Sequence, residues 1–114
     1  MEIRYDTKKL VKQCDGEKAI KRNFPNEAKS ILKRVQDMED FPTLKDYLNG
    51  ARGNPHPLRE NLKGWFWVHV NGPNVIIFEP LTEVPDDETG NPDYSQVTAI
   101  NIIAVNVPEA DYKK

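Results

Sequence analysis

The sequence predicts an α+β domain of two layers, in the order β-α-α-β-β-β, with the helices packed on a small, mostly antiparallel sheet. Three observations predict it. Glu27 to Met38 carries apolar residues at helical spacing, and Trp65 to Glu79 reads as a β-hairpin around Asn71-Gly72. Val97 to Val107 is apolar on both faces, the pattern of a strand central in its sheet. At 114 residues and 13.1 kDa, positions 1–114 are expected to form one domain.

The elements follow in order. Met1 to Tyr5 alternates apolar and polar residues, as a short strand does. Asp6 or Thr7 caps a helix that places Leu10, Val11 and Cys14 on one side, until Asp15-Gly16 interrupts it. A short turn carries Ala19 and Ile20. The helix restarts at Asn23 to Asn26, with Pro25 tolerable in a first turn. In the main helix Ala28, Ile31, Leu32, Val35 and Met38 form a core stripe, and Lys29, Lys33, Arg34 and Asp37 take the opposite side. Asp40 to Asn49 is a connector with a short helix around Leu44, Tyr47 and Leu48.

Gly50 to Pro57 reads as loop, held extended by prolines on either side of His56. In the hairpin, Trp65, Trp67 and His69 share one face, and Phe66, Val68 and Val70 share the other. The second set is expected on the helix stripe, leaving the Trp/Trp/His face part exposed or under the long loop Pro80 to Gln96. That loop holds five acidic residues, Glu83, Asp86, Asp87, Glu88 and Asp93, without the alternating spacing of a calcium loop, so it is read as solvated. In the last strand Val97, Ala99, Ile103, Val105 and Val107 are expected on one face, with Thr98, Ile100, Ile102, Ala104 and Asn106 on the other.

Composition narrows the function. No apolar run approaches the ~20 residues of a membrane span, and the start of the chain lacks a signal-peptide core. A single cysteine, Cys14, excludes an internal disulfide and a Cys-rich zinc site, which fits a reducing cytoplasm. The net charge of −2 conceals a division. Met1 to Lys63 holds 14 Lys and Arg against 10 Asp and Glu, whereas Gly64 to Tyr112 holds none against 8. Such a split suits an anionic partner on one side of the molecule, and equally suits two differently filled solvated faces.

The segment His56-Pro57-Leu58-Arg59-Glu60-Asn61-Leu62-Lys63-Gly64, the Trp-rich strand, Ile76-Ile77-Phe78-Glu79-Pro80 and Val97-Thr98-Ala99-Ile100 together resemble the RelE/ParE toxin superfamily, nearest to its HigB-like killer proteins. Asp6-Thr7-Lys8-Lys9-Leu10 looks like their opening as well. Two positions depart from the pattern. Val75 stands where those proteins carry an arginine before Leu-Ile-Phe, and their terminal Asp-Tyr-His is matched only by Asp111-Tyr112-Lys113, several residues late and with Lys for His.

The resemblance implies a toxin of a type II toxin–antitoxin pair that cuts mRNA on the ribosome and is restrained by a helix-turn-helix antitoxin. Its chemistry is metal-free and needs no cofactor: the 2′-hydroxyl attacks the adjacent phosphate in line, helped by a base, a cation and an acid. Carried onto this chain, His56 is the base or acid, Arg59 and Lys63 hold the phosphate, and Tyr112 stacks on a base. Lys33, Arg34, Arg52 and Lys113 are the further RNA-binding cations. The alternative that Val75 and Lys113 raise is a non-catalytic binding module of the same fold, either a ParE-like gyrase inhibitor or a toxin relative without nuclease activity. Exposed Trp65 and Trp67, or the basic helix, would offer a partner its surface.

Overall fold

A five-stranded sheet forms the second layer of the molecule, in the spatial order β1-β5-β4-β3-β2. In this computed structural model residues 1–50, 53, 55–58 and 64–112 are described, the Tyr112 side chain excepted. The strands are β1 (Glu2–Tyr5), β2 (His56–Pro57), β3 (Phe66–Asn71), β4 (Asn74–Pro80) and β5 (Ala99–Pro108). The described helices are α1 (Lys8–Cys14), α2 (Glu17–Asn23), α3 (Ala28–Asp40) and α4 (Leu44–Gly50). β1 runs parallel to β5, and every other pairing is antiparallel. The expected α+β class holds; α4 is the short helix expected around Leu44, Tyr47 and Leu48. α2 stands where the sequence pattern suggests only a short turn at Ala19 and Ile20, and β2 is one more short strand than that pattern suggests.

Local chemistry sets the helix ends. Thr7 caps α1, its Oγ1 accepting from Leu10 N–H at 3.1 Å. Gly16, at φ 88°, turns the chain between α1 and α2, where a side chain would be strained. The α3 stripe is buried at Ala28, Ile31, Val35 and Met38. No basic side chain stands in its last turn, but the Met1 ammonium donates to the carbonyls of Met38, Glu39 and Phe41 and takes that place.

The inner face of the sheet carries Phe66, Val68, Val70, Ile76, Phe78, Ile100, Ile102 and Val105 against the helices. Full burial of an Ile or Phe side chain contributes about 1.5–3 kcal/mol, so these rows hold the layers together. β4 lies in the middle, with Val75, Ile76, Ile77 and Phe78 all buried. β5 lies between β1 and β4, as its two apolar faces require.

Two expectations need correction, and a third is decided between its alternatives. Asn71 stays in β3, paired with Asn74, so the turn is Gly72-Pro73 with positive φ (56°) at Gly72 alone, as a II′-type connection needs. The faces of β5 do not alternate throughout: its register against β4 shifts between Ile77 and Phe78 and again between Val75 and Ile76. These irregularities set Ile103 and Asn106 outside the pairing, so Ala104 joins the outer face and Val105 the inner one. Of the two alternatives for the Trp65/Trp67/His69 face, part exposure is the one found, since all three are half-buried. Tyr94, in the loop after Pro80, packs edge-on against Phe66 on the inner face, ring centroids 5.5 Å apart. The Asp87 carboxylate folds the loop's tip by accepting from Thr89 N–H, Thr89 Oγ1 and Asn91 N–H at 2.8, 2.6 and 3.0 Å.

Candidate functional site: the helix-free face of the sheet

The helices cover one face of the sheet; the other carries a second apolar cluster of its own. Leu58, Val75, Ile77 and Ala104 are buried there beneath partly buried Trp65, Trp67, Ile103 and Val107. The alternation of β3 makes this face, because Phe66, Val68 and Val70 turn inward and their neighbours must turn out.

β2 brings the histidine to it. His56, expected in a loop, pairs with Trp67, and Pro57 with Phe66. A directly opposed pair places both side chains on one face. The His56 and Trp67 rings accordingly lie 4.8 Å apart between centroids and only 31° from parallel. His69, two residues along the same strand face, also meets Trp67, edge to face at 4.8 Å and 88°. The result is an imidazole–indole–imidazole row in which His56 is exposed and Trp67 and His69 are half-buried. The strand pattern alone placed Trp65, Trp67 and His69 together; what it lacked was the β2 pairing that sets His56 opposite Trp67.

Arg34 anchors this row from the helix layer. Its Nε donates to the His69 carbonyl at 2.8 Å, while the His69 N–H donates to the Gly53 carbonyl at 2.9 Å. β2 begins at His56, opposite Trp67, and so does not reach His69; the Arg34 guanidinium and the Gly53 carbonyl take the His69 backbone groups instead. Arg34 Nη1 also reaches Asp37 Oδ2 at 3.1 Å, and both side chains are largely buried. The expectation that Arg34 and Asp37 form a solvated face is therefore corrected: Gly53 packs against the Arg34 side chain, and Tyr47 of α4 lies close enough to feel both charges. Gly53 is required by the same packing. At φ 77°, a Cβ there would sit 2.4 Å from Val68 Cγ2 and 2.6 Å from Arg34 Nε.

The other candidates are placed unevenly. Lys33 is exposed on α3, in the layer on the opposite face of the sheet from His56. Arg52, Arg59, Lys63 and Lys113 lie outside the described residues, as does the side chain of Tyr112. Leu58 and Trp65, which bracket Arg59 and Lys63 in sequence, are joined by the Leu58 N–H donating to the Trp65 carbonyl at 2.8 Å. Tyr112 ends a 3-10 turn, Glu109–Tyr112, that starts beyond Pro108 at the hairpin end, where Glu109 N–H donates to the Pro73 carbonyl at 3.0 Å. That end of the face, at the Asn71–Asn74 pair, is four residues, roughly 13 Å along β3, from the His56–Trp67 pair. Val75 is fully buried in the apolar cluster, so no cation occupies the position where the resemblance expects arginine.

Chemically, the face offers an exposed imidazole, able as a type to take or give a proton near neutral pH, held flat on an indole. The half-buried indoles offer stacking surface to a planar base. Among the described residues no cluster of three or more His, Cys, Asp or Glu has a metal-holding arrangement.

No family model matches the chain, and no curated protein matches it. Solved structures do. The crystal structure of the heterotetrameric YoeB-YefM toxin-antitoxin complex from Staphylococcus aureus superposes with TM-score 0.55 at 14% identity, covering 94% of this chain and 95% of that one. The YoeB/ParE toxin from Agrobacterium tumefaciens gives 0.53 at 12% identity over 93% and 97%. The YoeB dimer from Staphylococcus aureus gives 0.54 at 14% over 94% and 95%. With nearly the whole of each chain aligned and few identical residues, the chain has the fold of the YoeB/ParE toxins.

Proposed function

We propose that this chain is the toxin of a type II toxin–antitoxin pair and acts as a metal-independent endoribonuclease on ribosome-bound mRNA. The observation that carries the reading is the exposed His56 ring stacked on Trp67, on the helix-free face of a YoeB/ParE-like fold. A flexible histidine would lose most proton-transfer efficiency; one stacked on an indole and backed by a strand pair is already oriented.

In this reading a nucleotide stacks against Trp65 or Trp67 and presents its 2′-hydroxyl to His56. His56 takes that proton, or gives one to the leaving 5′-oxygen, while the 2′-oxygen attacks phosphorus in line. Arg59 and Lys63 neutralise the phosphate, Arg as a bidentate fork and Lys as a point charge. Tyr112 and Lys113 extend the contact to a neighbouring base and phosphate, and Arg52 adds backbone charge; Lys33, in the helix layer, takes no part at this face. Arg34 supports the site through the His69 carbonyl. The HigB-like branch is the reading its lead-in and hairpin motifs favour.

An antitoxin of the helix-turn-helix class is the proposed partner, and the ribosome and mRNA are the proposed target, in the cytoplasm. Two neighbours are themselves YoeB-YefM assemblies, which supports a hetero-oligomer. Among the described residues no helix is long and apolar enough to cross a membrane.

Val75 favours a second reading. Its full burial leaves the face without one phosphate-binding cation, which fits a binding module such as a gyrase inhibitor or a nuclease-dead relative. Induced expression with transcript 5′-end mapping separates them. Growth arrest with discrete new 5′ ends is expected. Intact transcripts refute the nuclease, and inhibition of gyrase supercoiling would establish the alternative.

A further inference from the structure

In-line cleavage moves two protons, one off the 2′-hydroxyl and one onto the leaving 5′-oxygen, and His56 serves only one of them in a single step. A second group of the same chemistry stands on this face. His69 is half-buried and meets the Trp67 indole edge to face. Its ring and the His56 ring each lie 4.8 Å from the Trp67 ring between centroids, so the two imidazoles are within twice that distance of each other. By strand register His69 is the diagonal neighbour of His56, and diagonal Cβ atoms stand roughly 7–8 Å apart. That gap holds one phosphodiester with a hydrogen bond of ~2.8 Å at either apical oxygen.

The His69 ring is free for such work. Its backbone, not its imidazole, holds Arg34 and Gly53, and no described residue hydrogen-bonds a ring nitrogen of His56 or His69. His69 also pairs with Val75 across the hairpin, and paired side chains share a face. A protonated His69 therefore puts positive charge beside the position that Val75 leaves without a cation. The ionisable groups around it, among the described residues, are His56 on β2, Arg34 and Asp37 on α3, and Glu109 beyond β5 at the hairpin end. Arg34 and Asp37 are paired with each other.

We infer that His69 is the second proton-transfer residue of this site, paired with His56, an inference that rests on the ribonuclease reading. One imidazole takes the 2′-hydroxyl proton as the 2′-oxygen bonds to phosphorus. The other, protonated, gives its proton to the 5′-oxygen as the bond from phosphorus to that oxygen breaks. The products are a 2′,3′-cyclic phosphate and a free 5′-hydroxyl, and the two rings end with their protonation states exchanged. The pair works with one ring neutral and one charged, a condition two imidazoles meet near neutral pH.

The test is single-turnover cleavage of a short mRNA on purified ribosomes from about pH 5.5 to 8.5, by the wild-type chain, His56→Gln, His69→Gln and His69→Phe. Phe keeps an aromatic edge against Trp67 and carries no proton. The wild-type rate is expected to be bell-shaped in pH, and each variant to be slowed about a hundredfold and to lose one limb of the bell. A substrate with sulfur in place of the bridging 5′-oxygen expels a thiolate, which leaves without a proton. It is expected to bring the variants of one histidine to within about tenfold of the wild type, and not those of the other. His69→Phe cutting within about threefold of the wild type, or keeping both limbs, overturns the role of His69. An equal response of the His56 and His69 variants to the sulfur substrate overturns the acid–base pairing. No cleavage by the wild type defeats the ribonuclease reading beneath it; cleavage that only His56→Gln impairs defeats this inference alone.

Discussion

Lys33 and Arg34 are neighbours on α3, identical in charge, and their surroundings separate them. Lys33 faces water, whereas Arg34 holds the His69 carbonyl and Asp37 at once. Arg34→Met keeps the stem but leaves a strand-edge carbonyl unpaired and the largely buried Asp37 charge uncompensated. A loss of about 3 kcal/mol is expected in urea unfolding, against less than about 0.5 for Lys33→Ala. No periodicity argument distinguishes the two residues, because it assigns a face and cannot see which chain segment will later close over it.

Cys14 supplies a pH prediction at the same scale. It is 3% exposed, and burial pushes its thiol from an ordinary 9.0 to about 11. The folded state therefore holds this proton more tightly than the unfolded chain does. Its contribution is complete below pH 9.0 and is lost as pH rises through about 11. Buried Tyr5 acts in the same direction. Unfolding midpoints measured from pH 8 to 11 should fall, and Cys14→Ala should flatten the lower part of that fall. In the native protein at pH 8 the thiol should react with a disulfide reagent about a hundredfold slower than in urea.

At the scale of elements, the hairpin and β5 show how far a pattern reaches. Strict alternation in Phe66 to Val70 is visible as letters and is kept in the fold, because a one-residue slip would bury Trp67 and expose Val68. β5 breaks the same rule, and nothing in Ile102-Ile103-Ala104-Val105 marks where, since all four are apolar. The clue was Asn106. It holds φ 58° and accepts from Asn74 Nδ2 at 3.1 Å, and asparagine tolerates the left-handed region as valine does not. Asn106→Val should destabilise the protein by about 2 kcal/mol, and Asn106→Gly by under about 1. Equal losses in thermal unfolding would show that the backbone there is not what asparagine serves. β2 was illegible for a different reason: two residues have no period, and only β3 opposite makes them a strand.

At the scale of the molecule, the two sheet faces divide the labour. The inner face is sealed by helices and gives stability, while the outer face keeps its tryptophans half-covered and its histidine in water. The charge division in the sequence follows the same plan only in part: the described outer face shows a single cation, Arg4, and it is paired with Glu2 at 3.3 Å. In the proposed reading, Arg59 and Lys63, which Leu58 and Trp65 bracket in sequence, bring the positive charge nearest His56 to an RNA backbone. The likeness to YoeB/ParE toxins rests on this plan of layers, since only 12–16% of the aligned residues are identical.

The most direct test uses purified ribosomes programmed with a defined mRNA, with cleavage read by primer extension for the wild-type chain and for His56→Ala. Because His56 is exposed, the variant should unfold at the wild-type temperature within about 2 °C. Discrete cuts by the wild type, slowed about a hundredfold or more in the folded variant, are the predicted result. Undiminished cleavage by His56→Ala, or none by the wild type, would contradict it.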